Sequence, residues 1–250
     1  MDGAPRTLLI TERYLPEVGG SFVWFANTYR RHPPGTVWIV TRRWPGDREA
    51  DAQFPGIGTI RLSLRRWRFL RPESLMLVLK LVLASLWNVR RRSIRILHAA
   101  KVLPEGLAAR IVSKITAVPY VVYTHGEELT LLSANPSYGP HFARLRAVYN
   151  DAAAVIANSR FTRDELVRFG VEPARIVRIS PGVDLSLFSP GPPDAELRRR
   201  YALDGKLVLL SVGRLQKRKG HDRVLEALAK VLPDRPELVY VVVSAGEEEA

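Results

Sequence analysis

Cysteine is absent from the 250 residues, which excludes a disulfide framework and a thiolate metal site and gives no sign of an oxidising compartment. Acidic residues are in deficit: 38 Lys and Arg stand against 25 Asp and Glu, a formal net charge of +13. That balance points to anionic partners: phosphorylated small molecules, an acidic membrane surface or nucleic acid. No apolar run reaches the roughly 20 residues of a membrane-spanning helix, since the longest, Leu75 to Asn88, is broken by Lys80. The first residues lack the basic flank, apolar core and small-residue cleavage site of a secretion signal, so the cytoplasm is the expected location.

Several ligand signatures are missing too. A Walker loop is excluded because His221 and Asp222 follow Gly220 where Lys and Ser or Thr would stand. G-x-G-x-x-G does not occur, which disfavours a nicotinamide-dependent dehydrogenase. No nucleic-acid motif accompanies the scattered arginines, so no nucleic-acid partner is expected. Histidines and carboxylates form no metal-ligand spacing, and no metal or other cofactor is expected.

What is present reads as an α/β protein. Hydrophobic residues make up 46% of the chain, ample for a core. Short apolar or β-branched runs at 7–11, 36–41, 59–64, 94–99, 120–124, 153–157 and 176–179 alternate with helical patterns, including one over 73–92. This alternation predicts parallel sheet with right-handed crossovers. The stretch 189–194, SPGPPD, is the strongest break and predicts a stiff linker. The expected division is therefore a first domain over 1–188, a linker with a short helix over 189–205, and the start of a second domain over 206–250.

Within the last segment, 207–212 predicts a buried strand, and Val224, Leu225, Leu228, Val231 and Leu232 recur at helical spacing. Between them lie Gly213, Arg214, Lys217, Arg218, Lys219 and Gly220. A strand end feeding a basic turn and a helix N-terminus gathers unpaired N–H groups and cations, the makings of a diphosphate site; a merely solvated basic loop is the alternative. Gly19 and Gly20 similarly follow the first strand and allow close backbone approach. His125, Gly126 and Glu127 come just past a central strand, at the edge where open α/β sheets bind ligands. Asn158 or Ser159 caps a helix. Residues 61–71, RLSLRRWRFLR, suit either an anionic lipid surface or a solvated strand edge.

The order of five motifs resembles the retaining glycosyltransferases of family 4, with their GT-B fold: Gly19-Gly20, His125-Gly126-Glu127, Ala157-Asn158-Ser159, Pro181-Gly182-Val183-Asp184, and Gly213-Arg214 with Lys219-Gly220. The resemblance implies two Rossmann-like domains, the N-terminal one on the acceptor side and the second, incomplete in this chain, binding a nucleotide-diphosphate sugar. It implies Arg214 and Lys219 on the donor diphosphate with Gly213, Gly19 and Gly20 near phosphate or acceptor. It further implies His125 behind the reaction centre, and Gly126 and Glu127 positioning sugar or acceptor hydroxyls. Asn158, Ser159 and Asp184 are expected to be structural. The implied chemistry is metal-independent sugar transfer with retention, with possible peripheral contact at the inner membrane face.

The sequence departs from the family in two respects. A Glu, seven residues, then a second Glu, which in the family holds the donor sugar and ribose, occurs nowhere, and the glycine-rich turn is reduced to Ser244-Ala245-Gly246. The 250 residues are therefore expected to carry an acceptor domain with half a donor site and impaired activity. The competing expectation is a non-catalytic module binding anionic lipid or glycan.

Overall fold

The computed structural model describes residues 3–17, 19–64, 73–134 and 142–244. The chain divides into two compact units, Met1–Val183 and Asp184–Ala250, each described by itself.

In the first unit, strands β1 (Thr7–Ile10), β2 (Val37–Arg42), β3 (Ile57–Leu62), β4 (Ile96–Ala99), β5 (Tyr120–Thr124), β6 (Ala154–Ala157) and β7 (Ile176–Arg178) form one sheet. Its order is β3-β2-β1-β4-β5-β6-β7, and every pairing is parallel. Parallel strands need crossovers, and the helices that supply them cover both faces, so the central strands read as continuous apolar runs. Successive side chains leave opposite faces. Leu8, Ile10, Val40, Leu97 and Val122 meet helices α3 (Glu73–Arg92), α4 (Leu107–Thr116), α6 (Phe142–Asn150) and α7 (Arg160–Arg168). Leu9, Ile39, Val121 and Tyr123 meet Trp24, Phe25 and Tyr29 of α1 (Gly20–Tyr29). Within that second layer, the Tyr29 hydroxyl bonds His98 Nδ1 at 2.5 Å. Burial, and secondarily His32, lowers His98 from 6.5 to about 3, so it is neutral at physiological pH.

Helix α3 covers the residues whose pattern predicts a helix, and it is half-buried. Val78, Leu81, Val82, Ser85, Asn88 and Val89 face the core, whereas Leu75, Met76, Leu79, Leu83 and Trp87 are exposed. Among the described residues no helix is long and apolar enough to cross a membrane.

Two departures from the sequence reading have physical causes. Pro45-Gly46-Asp47 opens a further helix that the sequence pattern does not predict, α2 (Asp47–Ala52); Gly46 takes φ +76° and only Ala50 is buried, too little for a detectable period. Arg61 turns inward rather than toward a lipid or solvent. Its guanidinium, 8% exposed, meets Asp51 Oδ1 at 2.6 Å and donates to the Leu15 carbonyl at 2.7 Å. Most of the remaining basic stretch lies outside the described residues.

The second unit contains α8 (Ala195–Arg200), β8 (Leu207–Val212), α9 (His221–Val231) and β9 (Leu238–Val243), with β8 and β9 parallel. Asp194 caps α8 by accepting from Leu197 N at 2.9 Å. The expected burial of β8 is not found: Leu210 is 61% exposed and Val212 74%. A two-stranded sheet with one long helix has too little neighbouring surface to cover both faces, and only Leu228 of α9 is buried.

Leu97, with 0% exposure in the sheet core, and Leu75, 69% exposed on α3, make a matched pair. Leu97→Ala is expected to cost roughly 2–5 kcal/mol of first-unit stability. Leu75→Ala should stay within about 0.5 kcal/mol, both measured by urea denaturation.

Candidate active site

The sheet order places a reversal between β1 and β4. The chain runs outward from β1 through β2 to β3, then returns to lay β4 on the other side of β1. Loops leaving the C-terminal ends of β1 and β4 consequently diverge and open a crevice. A cleft of about 230 Å³ lies there, lined by Thr11, Glu12 and Arg13 after β1, Ser21, Phe22 and Phe25 of α1, Ala100, Lys101 and Leu103 to Glu105 after β4, and His125 after β5.

His125 is held from three directions. Its Nε2 lies 3.1 Å from the Ala100 carbonyl, an acceptor only, so Nε2 carries the proton and Nδ1 is the acceptor. Its backbone N–H donates to Glu128 Oε1 at 3.0 Å, and its carbonyl accepts from Asn158 Nδ2 at 3.2 Å. Trp24 and Phe25 stand edge-on to the ring at 5.8 and 5.9 Å. Burial lowers its pKa below 6.5 while Glu128 opposes that shift, so the imidazole is neutral at pH 7.

Gly126 takes φ +95°, and a Cβ there would sit 2.9 Å from Thr162 Oγ1. Thr162 is fixed in turn: its hydroxyl donates to Asn158 Oδ1 at 2.6 Å and its N–H to Ser159 Oγ at 3.1 Å. Asn158 and Ser159 thus do more than cap α7, since they also hold the turn carrying His125. Glu127 opens α5 (Glu127–Ala134) with its side chain exposed. Glu128, which the sequence reading passed over, is the residue that reaches back to His125. Its signal was the acidic residue three positions on, the returning arm of a capping box.

Gly19 precedes α1 in extended conformation and Gly20 is its first residue. A Cβ at Gly19 would meet the Phe22 ring at 2.9 Å, whereas Gly20 has open space. The pair brings the N-terminal turn of α1 to the cleft wall at Ser21 and Phe22, where the Phe22 N–H donates to the Gly19 carbonyl at 3.0 Å. Glu105 is a second residue missed from sequence, although it stands in Pro104-Glu105-Gly106 between a strand end and a helix start, as His125 and Gly126 do.

In the second unit, Gly213 ends β8 and Arg214 follows it, exposed. Lys217–Lys219 form a single helical turn, and Gly220, at φ +71°, leads into α9. The Lys219 stem passes Gly213, with Cε 3.9 Å from where a Cβ would stand. Tyr240 OH donates to Ser211 Oγ at 2.9 Å and lies 3.0 Å from His221 Nδ1, tying the start of α9 to both strands. Gly213, Arg214 and Lys219 are therefore neighbours. They lie in a different unit from Gly19, Gly20, His125, Gly126 and Glu127.

A doubly wound parallel unit with a switch-point cleft, followed by a strand, basic turn, helix and parallel strand, defines the GT-B class of α/β proteins. HepE of Anabaena in complex with UDP and glucose has the same fold, with a TM-score of 0.72 at 19% identity over 98% of this chain and 63% of that one. The chain belongs to glycosyltransferase family 4: the sequence profile of Glycosyltransferase Family 4 matches residues 4–187, and that of Glycosyl transferases group 1 matches 194–250. The GDP-mannose-dependent alpha-(1-6)-phosphatidylinositol monomannoside mannosyltransferase of Mycolicibacterium smegmatis is 27% identical over 250 residues, covering 96% of this chain and 60% of that protein. The D-inositol 3-phosphate glycosyltransferase of Geodermatophilus obscurus is 40% identical over 92 residues, 36% of this chain and 20% of that protein. The chain thus spans less than two thirds of the length of these relatives.

Gly126→Ala is expected to destabilise the first unit by roughly 1–3 kcal/mol and to shift the His125 ring signals in NMR spectra. Unchanged stability and spectra would show that the turn tolerates a side chain.

Proposed function

We propose that the protein transfers a sugar from a nucleotide-diphosphate-sugar donor to an acceptor hydroxyl, with retained anomeric configuration and without a metal. The observation that carries this reading is the neutral, three-way-anchored His125 at the wall of the switch-point cleft. The names of the relatives support it, since one uses GDP-mannose and HepE is described with UDP and glucose.

In this reading the bond between the sugar's anomeric carbon and the diphosphate oxygen breaks while the acceptor oxygen bonds to that carbon from the same face. The acceptor's proton passes to the departing phosphate oxygen, giving a nucleoside diphosphate. Negative charge gathers on the leaving group, so Arg214 and Lys219 stabilise the transition state more than the ground state. One such contact is worth on the order of 3 kcal/mol. Arg214 offers a planar fork and Lys219 a point charge, so exchanging them is not neutral. His125 presents Nδ1 as an acceptor for a sugar hydroxyl, and Glu127 and Gly126 shape the adjoining turn. Gly19 and Gly20 offer backbone N–H groups to phosphate or acceptor.

Isothermal titration with UDP and GDP tests the reading. Arg214→Ala or Lys219→Ala should weaken the nucleotide that the wild-type chain binds on the order of 10- to 100-fold. Unchanged affinity would remove these residues from the donor site.

A second feature favours action at the cytoplasmic face of an anionic membrane. The exposed residues Leu75, Met76, Leu79, Leu83 and Trp87 share one face of α3, bordered by Lys80, Arg90 and Arg91. Apolar side chains with a tryptophan and flanking cations match the interfacial zone of a bilayer. Wild-type protein is expected to sediment with phosphatidylglycerol vesicles, and Leu83→Asp with Trp87→Asp should abolish this. Equal sedimentation by both proteins, or by neither, would count against the contact.

A further inference from the structure

Glu105 is a buried acid that the reading above leaves without a task. It sits in the turn Val102–Gly106 after β4, closed by Gly106 N donating to the Lys101 carbonyl at 2.9 Å, and its side chain is among the most enclosed of the charged groups at 2% residue exposure. One carboxylate oxygen, Oε1, accepts the Glu12 backbone N–H at 2.8 Å, bridging the two strand ends that diverge at the switch point. The other, Oε2, is buried and has no partner among the described residues, yet Glu105 lines the cleft together with Ser21, Lys101 and His125. A buried carboxylate oxygen without a hydrogen bond is costly and rare. Two other polar groups at the wall are already engaged: the Thr11 hydroxyl donates to the Arg13 carbonyl at 2.7 Å, and the Arg13 guanidinium pairs with Glu17.

We propose that Glu105 is a substrate-binding residue whose Oε2 accepts a hydrogen bond from a ring hydroxyl of an uncharged polyol, the acceptor, seated in the cleft between the ends of β1 and β4. This rests on the transferase reading, because it assigns the acceptor's place. A volume of about 230 Å³ is below the roughly 300–1,000 Å³ of pockets for drug-sized ligands and suits one six-membered ring. Glu12, Arg13 and Lys101 also stand at the wall, so charge of both signs is already present there, and the donor assigned to Oε2 is an uncharged hydroxyl.

The assignment has a pH signature. Burial raises the Glu105 pKa from 4.5 to about 7; the backbone N–H groups of Glu12 and of Glu105 itself, and then Lys101, oppose the shift, and the Glu12 carboxylate adds to it. His125 and Arg13 also face the cleft, but His125 titrates below 6.5. An ionised carboxylate accepts a stronger hydrogen bond than a protonated one. Polyol affinity is therefore close to full at pH 8, about half lost near pH 7, and falls further as pH drops below 7.

Titration calorimetry of the 250-residue chain with myo-inositol and with D-mannose, two uncharged ring polyols of different stereochemistry, at pH 6, 7 and 8 tests this. Wild type is expected to bind at least one, more tightly at pH 8 than at pH 6. Glu105→Gln keeps an oxygen for the Glu12 N–H; it should weaken binding on the order of 10- to 100-fold and flatten the pH profile. Should that variant not fold, Glu105→Asp, which keeps the charge but withdraws the oxygens by one methylene, serves with the same expected loss. The proposal is overturned if wild type binds neither polyol, or if the variant matches wild type in affinity and pH profile, which would make Glu105 a brace for Glu12 only. UDP and GDP titrations run alongside separate the two readings. Polyol binding that depends on Glu105 without nucleotide binding would sink the transferase assignment and leave the cleft standing; nucleotide binding without polyol binding would do the reverse.

Discussion

Burial of the seven-stranded sheet on both faces is the constraint from which the rest of the first unit follows. Parallel strands force each connection to cross a face, the crossing helices bury Leu8 and Ile10 on one side and Leu9 on the other, and every strand ends at the same edge. Because β4 returns beside β1, the helices after those strands lie on opposite faces and cannot close over the gap. The cleft is thus a product of strand order, and the residues lining it are whichever follow the strand ends.

The same burial sets the chemistry at the wall. Desolvation works against charge on His125 and on Glu105 there, lowering the one and raising the other for the same reason. Backbone groups do the positioning: the Ala100 carbonyl selects the His125 tautomer, and the Glu12 N–H fixes one oxygen of Glu105. The second unit works with the other regime. Arg214 and Lys219 are exposed on a short turn, where water screens them, and their value toward an anion depends on what excludes that water.

Much of the fold was legible in the chain. β5 and β8 fall at the expected residues, α3 at its expected bounds, and the other strands within two or three positions, because apolar runs bounded by glycine, proline or a polar turn carry period and length together. α2 was not legible, since six residues with one buried alanine have no period to read. The burial of β8 was misread for a related reason: an apolar run reports what a strand can bury, not how much neighbouring surface it meets. Arg61 looked like part of a basic surface stretch and proved to be an internal clamp on Asp51, which no local pattern encodes.

Residue order by itself determined the α/β alternation, the family motifs and the glycines that permit tight turns, all of which depend on spacing and backbone conformation within a few positions. Only the tertiary structure decided which acids matter at the cleft. Glu127 carries the motif but faces solvent, while Glu128 holds His125 and Glu105 reaches Glu12 across 93 positions of chain. Their roles come from desolvation and from partners on other strands, and both are set by strand order rather than by neighbours in sequence.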